Sequence, residues 1–307
     1  MVIRKLFLYA LLGVCCFCSC SEDEDTTPSL EDTDRLEGLI DKSNKTITDF
    51  KEKYGTYILY QFDQLLDFAY QFDQAASWRS AELTYLEKED VDGAVEFLMD
   101  KFMACYGDSV KVNYLPRKLL ICSKIKASQL GISLPDGGDT GYHDAVANMN
   151  SFTIAGLDRA NLAAMSEERM EEYVQQLHNI FLAGYVVNVR RLVFVENLFF
   201  DPCETLYGTE VEREKNEQLP PEDYLKLGFF PITDVEEYSY PLELDDLINF
   251  VENLVKMDQE IHDMVMAYEL MKTKMQYVAS SLKRWVWISK KLIRWREIFY
   301  KQIYLTF

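Results

Sequence analysis

The chain predicts an α+β fold, with a small N-terminal sheet and a mostly helical C-terminal half, and three observations carry that expectation. Short runs rich in β-branched and aromatic residues, "TYILYQF", "RKLLICSKI" and "SFTIAG", all fall in the first half. Stretches with apolar residues at helical spacing dominate from residue 166 onward. The apolar content of 48% is enough to fill one large core or two modest ones.

Residues 1–20, "MVIRKLFLYALLGVCCFCSC", place Arg4 and Lys5 before an apolar run from Leu6 to Phe17. That run is too short for a permanent membrane span and has the size of a signal-peptide core. Small residues lead into Cys20, and the chain then turns abruptly to "SEDED". This resembles a lipoprotein signal, which implies cleavage before Cys20 and acylation of the new N-terminal cysteine. At about 0.8 kcal/mol per buried methylene, several acyl chains hold a protein durably on a membrane. The acidic run resembles a surface-export signal, so the expected location is the outer membrane, facing outward.

Residues 21–35 read as an acidic tether without apolar periodicity, and 36–307 as the folded domain, with a helical sub-domain from about 220. "LEGLIDKSNKTITDFKEKYG" reads as one helix ending at Gly55, followed by the alternating strand "TYILYQF". "DVDGAVEFLMDKFMACYG" is amphipathic, with Val91, Val95, Leu98, Phe102 and Cys105 on one face. Between the two later strands, "LGISLPDGGDTGYHDAVANMN" reads as a glycine-rich loop. Ser166 starts a helix whose first turn carries Glu167 and Glu168, where the helix dipole favours anions. "PPEDYLKLG" reads as a short helix, and the stretch from Leu242 to Ser281 as two helices or a broken one. A last basic helix carries Lys283, Arg284, Lys290, Lys291, Arg294, Arg296 and Lys301 among Trp285, Trp287 and Trp295. Two roles are open for it: packing on the core with its charges toward the acidic body, or docking on a membrane surface or partner.

Composition excludes several functions. Formal net charge is −19, and removal of residues 1–20 takes away two basic residues and no acidic one. Such a body repels nucleic acid and anionic membrane surfaces, so no nucleic-acid partner is expected and the membrane contact is the lipid anchor. Cys15, Cys16 and Cys18 leave with the signal and Cys20 takes the lipid. The remaining Cys105, Cys122 and Cys203 lack metal-type spacing and exclude a disulfide scaffold while leaving room for one bridge. No nucleophile elbow, phosphate loop or dinucleotide fingerprint occurs. The loop "DGGDTGYHD" gathers Asp136, Asp139 and Asp144, but lacks the ligand spacing and terminal glutamate of a calcium loop and reads as a solvated turn.

Only three histidines exist, His143, His178 and His262. A catalytic zinc takes three protein ligands, often two of them histidine. Neither HxxxH nor HxxE occurs, so His143 and His262 read as surface or packing residues.

Several stretches together resemble the substrate import-associated zinc metallohydrolase lipoproteins, a group of zinc-binding metallopeptidases. They are "FKEKYGTYILYQFD", "VEFLMDKFMACYGDSVKVNYLPRKLLICS", "YLKLGFF" and "MQYVASSLKRWVWISKKLIRW", in order across most of residues 36–300. The resemblance implies a zincin-like scaffold, in which one helix carries HExxH and a later helix supplies a third zinc ligand. Here His178 falls at the first histidine, Asn179 at the glutamate, Leu182 at the second histidine and Asn249 at the third-ligand position. Leucine offers no lone pair, and an amide cannot take a proton from water as a carboxylate does. The expectation is a degenerate member that keeps His178 as a vestige, with no metal site, no catalytic residues and no cofactor; zinc belongs to the active relatives. Loss of the His178 side chain would then cost no more than about 1 kcal/mol, as at ordinary non-core positions.

The implied role is binding of a peptide or glycan, or an accessory part in a TonB-dependent outer-membrane import complex. Two alternatives stand beside it: an active metallohydrolase with a rearranged metal site, and a structural subunit that docks through the basic C-terminal helix.

Overall fold

The computed structural model describes residues 30–69, 81–127, 141–211, 219–231 and 239–285, with the backbone alone at 30–34, 284 and 285. The signal with Cys20, the tether before residue 30, Asp136 and Asp139, and the tail beyond Trp285 with Trp287 and Trp295 lie outside the described residues. A mixed five-stranded sheet in the first half and helices in the second make the fold α+β, as expected.

The chain divides into two units, residues 1–38 and 39–307. Helix α1 (Leu30–Leu39) begins inside the stretch read as tether, and it does not continue to Gly55. "DKSN" breaks it: Asp41 takes the Ser43 N–H at 3.0 Å, and Asn44 caps α2 (Lys45–Tyr54) by accepting from Ile47 N at 3.1 Å. Both side chains give the backbone local partners outside a helix. Gly55 ends α2 at φ 74, the left-handed geometry that glycine adopts without strain.

Strand β1 (Tyr57–Leu59) and β5 (Ser151–Ile154) flank β3 (Lys118–Lys126) in parallel, and β4 (Ala145–Ala147) closes the edge antiparallel to β5. Strand β2 (Glu82–Tyr85) runs antiparallel along the second half of β3. Every residue of β1 is buried, so the expected alternation is replaced by the pattern of a strand covered on both faces. Neither β2 nor β4 was expected; β4 lies in the stretch read as a glycine-rich loop and, at three residues, is too short to display a period. Buried Lys118 donates to Asp67 Oδ1 at 3.1 Å and to Leu66 O at 3.0 Å, tying the turn at Gln64–Phe68 to the start of β3.

Helix α3 (Val91–Phe97) runs on through a wide π-type turn (Leu98–Phe102) and a tight one (Met103–Cys105), and its five expected apolar positions are buried. After α4 (Asp108–Tyr114) and α5 (Arg159–Ala164) comes α6 (Glu167–Asn179), capped by Ser166 as expected through Arg169 N at 3.1 Å. It continues as a wide π-type helix, Ile180–Val189. The short helix is α7 (Pro221–Lys226), and the stretch from Leu242 holds three helices: α8 (Glu243–Val255), α9 (Gln259–Met266) and α10 (Glu269–Trp285). Asp258 makes the first break by capping α9 through Ile261 N at 2.8 Å.

Phe152 of β5 stacks on Phe102 at 5.7 Å and meets Phe181 edge-on at 5.7 Å, so α3 and α6 cover the same face of the sheet. Helix α8 packs on α6 and its wide-turned extension, and α10 packs on α8 and α9.

Candidate functional site

The helix read as a former zinc helix is α6, and its His178 sits inside the core. The side chain is 1% exposed and stacks on Phe102, with centroids 5.0 Å apart. Its Nδ1 is 2.7 Å from the Tyr106 hydroxyl, and Tyr106 in turn meets Phe181 edge-on. Burial pushes the imidazole well down, to about 3, so it is neutral at ordinary pH. Tyr173, Leu177, Ile180 and Gly184 are buried around it. His178 therefore anchors an aromatic cluster. Loss of its side chain belongs to the core range of about 2–5 kcal/mol, which corrects the mild effect expected above.

These residues do not fit zinc. Leu182 is buried and offers no donor, and it lies in the wide-turned segment, where residues four apart no longer stack as they do in an α-helix. Asn179 is fully buried, and both its amide atoms have no partner in hydrogen-bonding geometry. Asn249 is half-buried on α8, the later helix that packs on α6. Among the described residues no group of three or more His, Cys, Asp or Glu converges. His143 is buried with Nε2 3.1 Å from Ala127 O, and His262 is buried in α9; both pack rather than ligate.

An open groove of about 570 Å³ lies beyond the carboxyl ends of the parallel strands β3 and β5, where open α/β sheets commonly bind ligands. Its wall carries Ser123, Lys124, Tyr142, Asn161 and Arg169. Tyr142 is 45% exposed on this wall, and Lys124 Nζ is 5.7 Å from its ring centre. Arg169 Nη2 donates to both Asp144 oxygens, at 2.8 and 2.7 Å, which commits Asp144 to an ion pair rather than to a calcium cradle. Burial raises the Asp158 carboxyl, but hydrogen bonds from Ser123 and Asn161 outweigh it and hold the group below the usual carboxylate range. The groove thus offers fixed charges, amide and hydroxyl groups and one aromatic face, a set suited to polar ligands.

A second polar cluster, unseen in the sequence, lies between α8 and α10. Lys274 is 0% exposed and its three N–H groups meet three acceptors: Asp246 Oδ2 at 2.5 Å, Gly228 O at 2.9 Å and Cys203 Sγ at 3.6 Å. Phe199, Phe229 and Phe250 surround Nζ at 4.6 to 5.0 Å. The Tyr207 hydroxyl also donates to Asp246 Oδ2, at 2.7 Å, while Asp246 Oδ1 is buried without a partner. A signal was present. Lys274 falls on the face of Met271, Met275 and Val278, and Asp246 beside Leu247 and Phe250, so each apolar stripe carries one charge of opposite sign. Cys105, Cys122 and Cys203 are all free thiols, so the one bridge the cysteine count left room for is not formed.

Comparisons with protein-family models, curated proteins and solved structures give no match to this chain.

Proposed function

We propose that this chain is a lipoprotein on the outer surface of the outer membrane, acting without catalysis as a peptide- or glycan-binding accessory of a TonB-dependent import system. One observation carries the non-catalytic part. The position where an active metallopeptidase would hold zinc is closed over by Phe102, Tyr106 and Phe181, and among the described residues it offers one neutral imidazole as its nitrogen ligand. The buried, unpaired amide of Asn179 supports descent from a working site, since a core chosen for packing alone would hold an apolar residue there. Binding has its support in the groove at Tyr142 and Arg169, which stays open while the zinc position is sealed. The rearranged-site hydrolase has no acid or histidine cluster among the described residues to stand on. Docking through the basic tail concerns residues beyond those described.

The anchor is tested in cells. A fatty-acid probe should label the wild-type protein, and Cys20→Ala should abolish the label. Protease added to intact cells should remove the body. Labelling that survives Cys20→Ala would overturn the anchor, and a fully protected body would overturn the outward orientation.

A further inference from the structure

We propose that Lys274 and Cys203 form a reversible oxidative cross-link, Nζ–O–Sγ, that clamps α10 to the segment before α7. The two residues are 71 positions apart in the chain, yet Nζ and Sγ are 3.6 Å apart in a fully buried site. Both atoms are held in place. The thiol donates to Leu227 O at 3.2 Å, and the amine is fixed by Asp246, Gly228 and the ring cage. Gly228 brings the chain this close because it has no side chain: at φ +85, an added Cβ would stand 2.8 Å from Leu270 and 3.4 Å from Cys203 Sγ. Asp246 supplies the base, with Oδ1 buried and unpartnered beside the amine.

The co-reactant is a hydroperoxide, such as hydrogen peroxide, small and neutral enough to reach a packed core through local opening. Cys203 Sγ attacks one peroxide oxygen; the O–O bond breaks and a sulfenic acid and water form. Lys274 passes one proton to Asp246, and the freed amine takes an oxygen from a second peroxide. This gives a hydroxylamine and a second water. The hydroxylamine oxygen then displaces hydroxide from the sulfenic sulfur, leaving Sγ–O–Nζ and a third water. Sulfur and nitrogen each lose two electrons, and the two peroxides accept all four. A direct S–N bond would draw Nζ further from its three ring neighbours and its carboxylate; the inserted oxygen spans the gap with less movement of a close-packed core.

The test is peptide mapping of the full chain after exposure to hydrogen peroxide. The expected product joins the peptides carrying Cys203 and Lys274. It is heavier than the two together by one oxygen less two hydrogens, and dithiothreitol splits it. Cys203→Ser, which keeps Lys274 and Asp246, should give no such product. The oxidised wild type should melt at least about 5 °C above the reduced protein, because the link closes a long loop. Recovery of Cys203 only as thiol, sulfinic or sulfonic acid would overturn the proposal. So would a link lacking the oxygen, or one made to another residue.

Discussion

Replacing Lys274 by methionine should lower the stability of the fold by roughly 3–5 kcal/mol, read from denaturant unfolding at neutral pH. The lysine brings the only cation within bonding reach of Asp246 among the interactions described, and both side chains are within 1% of complete burial. Without it, the carboxylate keeps one hydrogen bond, from Tyr207, in a site walled by phenylalanines. Burial already pushes the Asp246 carboxyl up against the pull of Lys274 and Tyr207, so the lone acid would take a proton or strand its charge. Asp246→Asn should cost a similar amount by leaving the ammonium unpaired. Replacing both together, Lys274→Met with Asp246→Leu, should recover most of the loss, since two apolar groups strand no charge. Single variants that each cost under about 1 kcal/mol would mean the pair contributes nothing to the packing of α8 on α10.

The second large effect is acid sensitivity from His178. Burial lowers its imidazole from the ordinary 6.5 to about 3. The unfolded chain therefore takes up a proton that the folded chain refuses. The fold loses nothing from this residue above about pH 6.5 and loses stability steadily as pH falls from there toward 3. At about 1.36 kcal/mol per unit, moving from pH 7 to pH 4 should cost about 3 kcal/mol from this group alone. His178→Phe fills the same place between Phe102 and Tyr106 without a titrating group. The difference in stability between wild type and variant should therefore change by that amount across the range. A difference that stays flat from pH 7 to pH 4 would mean that His178 is reached by water.

The features legible in the sequence are those decided within a few residues. Gly55 ends α2 and Ser166 starts α6 because capping uses a single side chain against its own neighbours. The apolar face of α3 was legible for the same reason. The break at "DKSN" was available in principle, since Asn44 is a strong cap, but the apolar pattern on either side runs through it unbroken. Strand β4 has too few residues to show a period and exists through its pairing with β5. The surroundings of His178 were hidden because Phe102, Tyr106 and Phe152 come from distant segments. The expectation of lost ligands at Asn179 and Leu182 rests on the family resemblance, and spacing could not tell a histidine at a surface from one sealed in the core. The burial of Lys274 is not legible from its own segment, because a lysine reads as solvated until Asp246 is found opposite it.

The most direct test of the central claim, that the helix carrying His178 serves packing rather than metal binding, is the metal content of the purified protein. After dialysis against buffer containing zinc and then against metal-free buffer, elemental analysis should find far less than one zinc per chain, because one buried neutral imidazole cannot hold the ion alone. One zinc per chain, retained through dialysis and removed by chelator together with a peptide- or glycan-hydrolysing activity, would contradict the account and establish a working metal site.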